Sequence, residues 1–108
     1  MNQLEKIRQC FKNDTVFYTR HAKIEMETEE FGQIFEHEVY EAISTGETIE
    51  DYPNDKPYPS ALVFGRSESN RPLHIVCAYD ADQNLTIVVT VYQPDPQYWI
   101  NFKKRKKI

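Results

Sequence analysis

The stretch Pro72–Asp95, "PLHIVCAYDADQNLTIVVTVYQPD", decides the fold, because two apolar runs stand on either side of a polar turn. Side chains in each run alternate with period two, as the strands of an antiparallel hairpin require. Leu73, Ile75, Cys77 and Tyr79 share one face of the first strand, and His74, Val76, Ala78 and Asp80 share the other. On the second strand Leu85, Ile87, Val89 and Val91 stand against Thr86, Val88, Thr90 and Tyr92. A register with Tyr79 opposite Leu85, and residues 80–84 as the loop, brings the two apolar sets together. The same register sets His74 opposite Thr90, with Tyr92 diagonally beside it. One face then packs a core and the other gathers a histidine and hydroxyl groups.

Working outward, Thr48–Tyr52 and Ser60–Ser67 read as two earlier strands, with Leu73–Tyr79 and Leu85–Tyr92 as the third and fourth. "PNDKPYP" (53–59), with three prolines in seven residues, is an irregular loop. The short connections predict an antiparallel meander. Before the strands the apolar period is helical: Leu4, Ile7 and Phe11 mark Gln3–Lys12, and Val39, Ala42 and Ile43 mark Glu36–Thr45, which Gly46 stops. Thr19 is an N-cap for a helix from Arg20 to about Phe31, closed by Gly32. "QYWINF" (97–102) adds a last short helix or strand. The expectation is an α+β fold in two layers, with N-terminal helices packed on a four-stranded antiparallel sheet. Three glycines in the whole chain leave little material for a phosphate-cradling loop.

A chain of 108 residues has room for one core. A single α+β domain over residues 1–102 and a basic tail over 103–108 describe its organisation. The net charge is −4, but five of the thirteen basic residues are the tail's Lys103, Lys104, Arg105, Lys106 and Lys107. That leaves eight basic against seventeen acidic side chains, eleven of the acids lying between Glu25 and Asp55. An acidic body repels phosphate backbones unless a local patch reverses the field. The tail reads either as a solvated end or as an electrostatic hook for RNA. No apolar run approaches bilayer length and no signal segment opens the chain, so a cytoplasmic protein without a membrane partner is expected. Cys10 and Cys77 are far apart in sequence, which predicts buried, reduced thiols rather than a disulfide or zinc site.

His74 is the first candidate for chemistry, since imidazole exchanges protons near neutral pH and Tyr92 is a proton donor beside it. The competing reading makes His74 a structural residue bonded to a neighbouring hydroxyl. His21 and Glu25, four apart on a helix, suit a base held by a carboxylate or a solvated ion pair. His37 reads as surface. Histidines at 21, 37 and 74 lack metal-ligand spacing, so no metal and no other cofactor is expected. Arg66 ends a strand and suits bidentate phosphate binding or pairing with a nearby acid.

Taken in order, "YTRHAKIEME" (18–27), "EVYEAISTGETIEDYPND" (38–55), "SALVFGR" (60–66), "RPLHIVCAYD" (71–80) and "TIVVTVYQPDPQYW" (86–99) resemble the domain of unknown function 4258 family. That family is similar to bacterial toxins of type II toxin–antitoxin modules, with a fold like the RelE and MqsR ribonucleases. The resemblance implies a cognate antitoxin as partner, often a cysteine-rich zinc-binding protein, and messenger RNA as substrate. It implies cleavage without a metal, by a base, an acid and cationic groups. Carried onto this chain, the catalytic group is His21, His74 and Tyr92, and the RNA or phosphate contacts are Arg20, Arg66 and Thr90. Two other readings stand beside it: a non-catalytic protein-binding module on the toxin fold, and an enzyme acting on another phosphodiester.

Overall fold

The computed structural model describes residues 1–107. Its order is α1 (Gln3–Lys12), β1 (Val16–Tyr18), α2 (Arg20–Thr28), α3 (Glu36–Thr45), β2 (Glu47–Tyr52), β3 (Ser60–Arg66), β4 (Pro72–Asp80), β5 (Leu85–Tyr92), β6 (Trp99–Ile100) and β7 (Lys104–Arg105). The caps are local. Asn2 accepts the Glu5 N–H at the start of α1, and Thr19 accepts the Ala22 N–H at the start of α2. At the start of α3 the Glu38 carboxylate reaches back to the Phe35 N–H at 2.9 Å.

The four-stranded antiparallel sheet expected from the sequence is not what forms. The sheet has five strands in the order β1-β5-β4-β3-β2, and β1 runs parallel to β5, with Val16 opposite Thr86 and Tyr18 opposite Val88. Three residues are too few to display a period, which is why this strand is invisible in the sequence. Asp14 takes a left-handed φ of 58° after α1 and turns the chain onto the β5 edge. The second helix also ends early, at Thr28. Glu29 is extended because its carboxylate accepts the Gln93 N–H at 3.3 Å, and the Ile34 N–H closes on the Met26 carbonyl at 2.8 Å.

The hairpin register differs from the expected one as well. Asp80 pairs Leu85 and Tyr79 pairs Thr86, so the loop is residues 81–84. The pairing then shifts, with Cys77 opposite Val88 but Val76 opposite Thr90, leaving Val89 as a β-bulge. Before the bulge Thr86 and Val88 face the helices; after it Val91 does. The bulge thus reconciles a short loop with an apolar core and turns Thr90 and Tyr92 outward. His74 stands opposite Tyr92 rather than Thr90. Thr86, expected outside, is wholly buried and its hydroxyl has no hydrogen-bond partner. A second bulge at Ile49 puts both Glu47 and Glu50 opposite outward-facing residues of β3.

All three helices cover one face. Ile7, Ala22, Met26, Val39 and Ile43 bury the sheet residues Val63, Leu73, Ile75, Val88 and Val91. Each fully buried aliphatic side chain contributes roughly 1.5–3 kcal/mol. Gly65 brings α3 directly onto β3, since a Cβ there would overlap the Ala42 carbonyl oxygen. Beyond the three residues covered by β1, α2 finishes the β5 edge. The Val89 carbonyl accepts from Thr19 Oγ1 at 3.2 Å, and the Val91 N–H donates to Glu25 at 3.1 Å.

Candidate active site

On the opposite face the short element expected at residues 97–102 forms as β6 and pairs with β7, inside the expected tail, as a C-terminal strap. Asn101 and Phe102 both adopt positive φ (53° and 62°), as a tight hairpin demands, and Lys103 N–H closes on the Ile100 carbonyl at 3.0 Å. The buried Trp99 ring meets His74 edge-on with centroids 4.4 Å apart, and Phe102 lies against Phe64 at 6.2 Å. Lys103 pairs Glu47 at 2.9 Å. Arg105 grips Glu50 through two nitrogens at 2.9 and 3.1 Å, and its guanidinium lies 4.7 Å from the Trp99 centroid. The run that reads as a basic tail is thus paired in part with β2.

Beneath the strap His74 has no exposed surface. Its Nε2 lies 2.5 Å from the Phe102 carbonyl, which accepts and so fixes the hydrogen on Nε2; Nδ1 then accepts from the Tyr92 hydroxyl at 3.0 Å. Burial lowers the pKa of the imidazole, so the ring is neutral at physiological pH. With both nitrogens engaged and the ring covered, His74 holds the strap and aims Tyr92. It does not itself meet a ligand in this conformation.

The groups that do reach solvent are its neighbours. Arg105 is 63% exposed and Glu50 26%. The hydrogen bonds from Arg105 hold the Glu50 carboxyl below its ordinary pKa, and Tyr52 donates a further short hydrogen bond to it. Burial pushes the Tyr92 phenol up to about 12, so it remains a proton donor. The cluster therefore combines an ionised carboxylate, a guanidinium and two protonated phenols on one sheet surface, the elements of acid–base work on an anionic ester.

Of the residues singled out from the sequence, His74, Tyr92 and Thr90 share this outer face, Thr90 half-buried opposite Val76. Arg66 stands at the rim, its guanidinium 5.6 Å from the Phe64 centroid and 5.5 Å from that of Phe102. Arg20 and His21 are elsewhere, exposed on the first turn of α2, whose buried Ala22 packs on the helical side. His21 Nε2 sits 3.3 Å from Glu25, whose desolvated carboxyl has a raised pKa. Glu50, Tyr52 and Arg105 are additions from the structure. A bulge hides the first two from any alternation rule, and the third lies in what resembles a loose end. Arg71 was also missed. It ties the segment before α3 to the sheet through the Gln33 carbonyl (2.8 Å), Gln93 (2.7 Å) and Glu38 (3.3 Å). Among the described residues no cluster of three or more His, Cys, Asp or Glu is placed to hold a metal ion, and no helix is long and apolar enough to cross a membrane. Cys10 and Cys77 are both free and buried.

The model of a family described as a domain of unknown function (DUF4258) matches residues 18–93, from the end of β1 through β5. The match holds Glu50, Tyr52, His74 and Tyr92 but stops short of the strap and Arg105. No curated protein and no solved structure matches the chain.

Proposed function

This chain belongs to the DUF4258 family, and for it we propose a metal-independent endoribonuclease of the toxin type, acting on messenger RNA from the strap-covered face of the sheet. The observation that carries the reading is the solvent-reached Glu50–Arg105 pair set beside the Tyr52 and Tyr92 hydroxyls. Glu50, kept ionised by Arg105, accepts the proton of a ribose 2′-hydroxyl as that oxygen bonds to the adjacent phosphorus. The bond from phosphorus to the 5′ oxygen breaks, the Tyr92 hydroxyl turns its proton from His74 Nδ1 to the departing oxygen, and a 2′,3′-cyclic phosphate remains. Arg105 and Arg66 neutralise the non-bridging oxygens. His74 is a positioning residue that orients the Tyr92 hydroxyl. Thr90 borders the site, and Arg20 and His21 supply contacts to RNA beyond the cleaved bond. A cognate antitoxin restrains the activity in the cell.

Tightly controlled expression in a bacterial host tests this, with growth and intact messenger RNA as readouts. The parent is expected to arrest growth and deplete RNA, and Glu50→Gln or Tyr92→Phe to lose that effect by about 10²-fold or more. Variants that cut at the parent rate would remove these residues from the mechanism. A harmless parent would favour the second reading, a protein-binding module without catalysis. That reading draws on the charge balance outside residues 103–107, eight basic against seventeen acidic side chains, which opposes broad contact with RNA.

A further inference from the structure

A cleft of about 790 Å³ runs along the outward face of α3 and reaches, at Arg66, the rim of the strap-covered face. His37, Tyr40, Glu41, Ser44 and Thr45 line it at helical spacing, so it extends along most of a helix about 15 Å long. Aromatic rings supply its apolar part. Phe11 and Tyr40 meet edge-to-face with centroids 6.3 Å apart, Tyr18 is half-buried, and Tyr40 remains 43% exposed. Where α1 ends at Lys12, the left-handed turn at Asp14 leads into β1, and Asp14, Val16 and Tyr18 line that side of the groove. Charged walls flank the rings: Asp14, Glu36, Glu41 and Glu68 are acidic, and the cation among the lining residues is Arg66.

From this geometry we infer that the α3 cleft is a docking groove for a basic amphipathic helix of a separate protein. An apolar stripe at i, i+3, i+4 and i+7 lies over Phe11, Tyr18 and Tyr40, and flanking Lys or Arg side chains meet the acidic walls. The groove's length matches two to three turns of such a helix, and its charge selects against acidic or phosphate-bearing occupants. The inference gives the protein-binding reading a place and a partner chemistry. It holds equally for a ribonuclease that a partner restrains.

The test uses the full chain and a fluorescent synthetic helix of about 18 residues with a Leu stripe and Lys/Arg flanks. Anisotropy measures the affinity, and amide chemical shifts locate the site. Saturable binding is expected, weakened by salt and mapping to α3, Asp14 and residues 67–68. Tyr40→Ala combined with Glu36→Gln and Glu68→Gln should weaken it by about tenfold or more with the fold retained by circular dichroism. Asp51→Asn with Asp82→Asn, beside a different cleft, should leave the affinity within about twofold. Absence of saturable binding, equal losses in both variants, or shifts mapping elsewhere would overturn the proposal. So would self-association that Tyr40→Ala abolishes, since a second copy would then be the occupant. RNA cleavage is not read in this experiment, so its outcome is independent of the nuclease proposal.

Discussion

On one face of the sheet, three helices bury Leu73, Ile75, Cys77, Val88 and Val91 with none of their surface exposed. On the other, a two-stranded strap lies across His74, Tyr92, Glu47 and Glu50, held by the Trp99–His74 and Phe102–Phe64 ring contacts, one imidazole–carbonyl hydrogen bond and two ion pairs half open to water. The first face is closed by apolar area, which is non-directional and large in sum. The second is closed by a few directional contacts, each modest and each sensitive to pH or salt. Stability resides on the helical face. The other face keeps titratable groups, Glu50 and Arg105, within reach of water beside the buried Trp99.

The sharpest way to break this contrast is to truncate each face in turn. Ile75→Ala opens a cavity in the helical core, and a loss of about 2–5 kcal/mol is expected in denaturant titration. If that loss were no greater than the loss from any strap substitution, the helical face would not be the source of stability.

A smaller effect belongs to His74. Removing the ring in His74→Ala strands the Phe102 carbonyl and the Tyr92 hydroxyl, for an expected loss of about 1–3 kcal/mol. Its signature is pH. Because burial lowers the imidazole pKa from 6.5 in the folded state, the unfolded chain binds the proton more readily. The stability that neutral His74 contributes is therefore complete above about pH 6.5 and falls away as the pH drops below it. Melting temperatures between about pH 7.5 and 5.5 should decline for the parent and decline less for His74→Gln. Glu25, whose carboxyl pKa is raised by burial, acts in the opposite sense and is common to parent and variant, so the difference between the two profiles reports His74. A parent profile parallel to that of the variant would mean that the imidazole is not held neutral.

The smallest effect is expected at the rim. Lys103→Ala removes a pair whose members are both about half exposed, and it should cost under about 1 kcal/mol, vanishing in high salt. A larger, salt-independent loss would show that the strap is held by packing rather than by charge, and would erase the contrast between the faces.

Much of the helical face is legible in the sequence. The stripes Leu4–Ile7–Phe11 and Val39–Ala42–Ile43 give α1 and α3 their observed bounds, and Thr19 caps α2 as its chemistry predicts. The strand β5 is found where alternation puts it, Leu85–Tyr92. His74 and Tyr92 do meet, though directly across the hairpin rather than diagonally. The candidate site is less legible. Strict alternation cannot foresee that Val89 and Ile49 are skipped, and those two skips turn Tyr92 and Glu50 to the same side. The three-residue β1 escapes for want of length.

Local order thus follows from neighbours along the chain, because a helical or strand period and a capping hydroxyl act within a few residues of where they are written. The outer face depends on partners far apart. Glu50 and Arg105 are 55 residues apart, and His74 is 28 from the carbonyl that engages it. No periodicity records such pairs. They exist once the helices have buried the other face and the bulges have rotated the side chains, and only that assembled backbone turns a basic end into the cover of a histidine and the partner of a carboxylate.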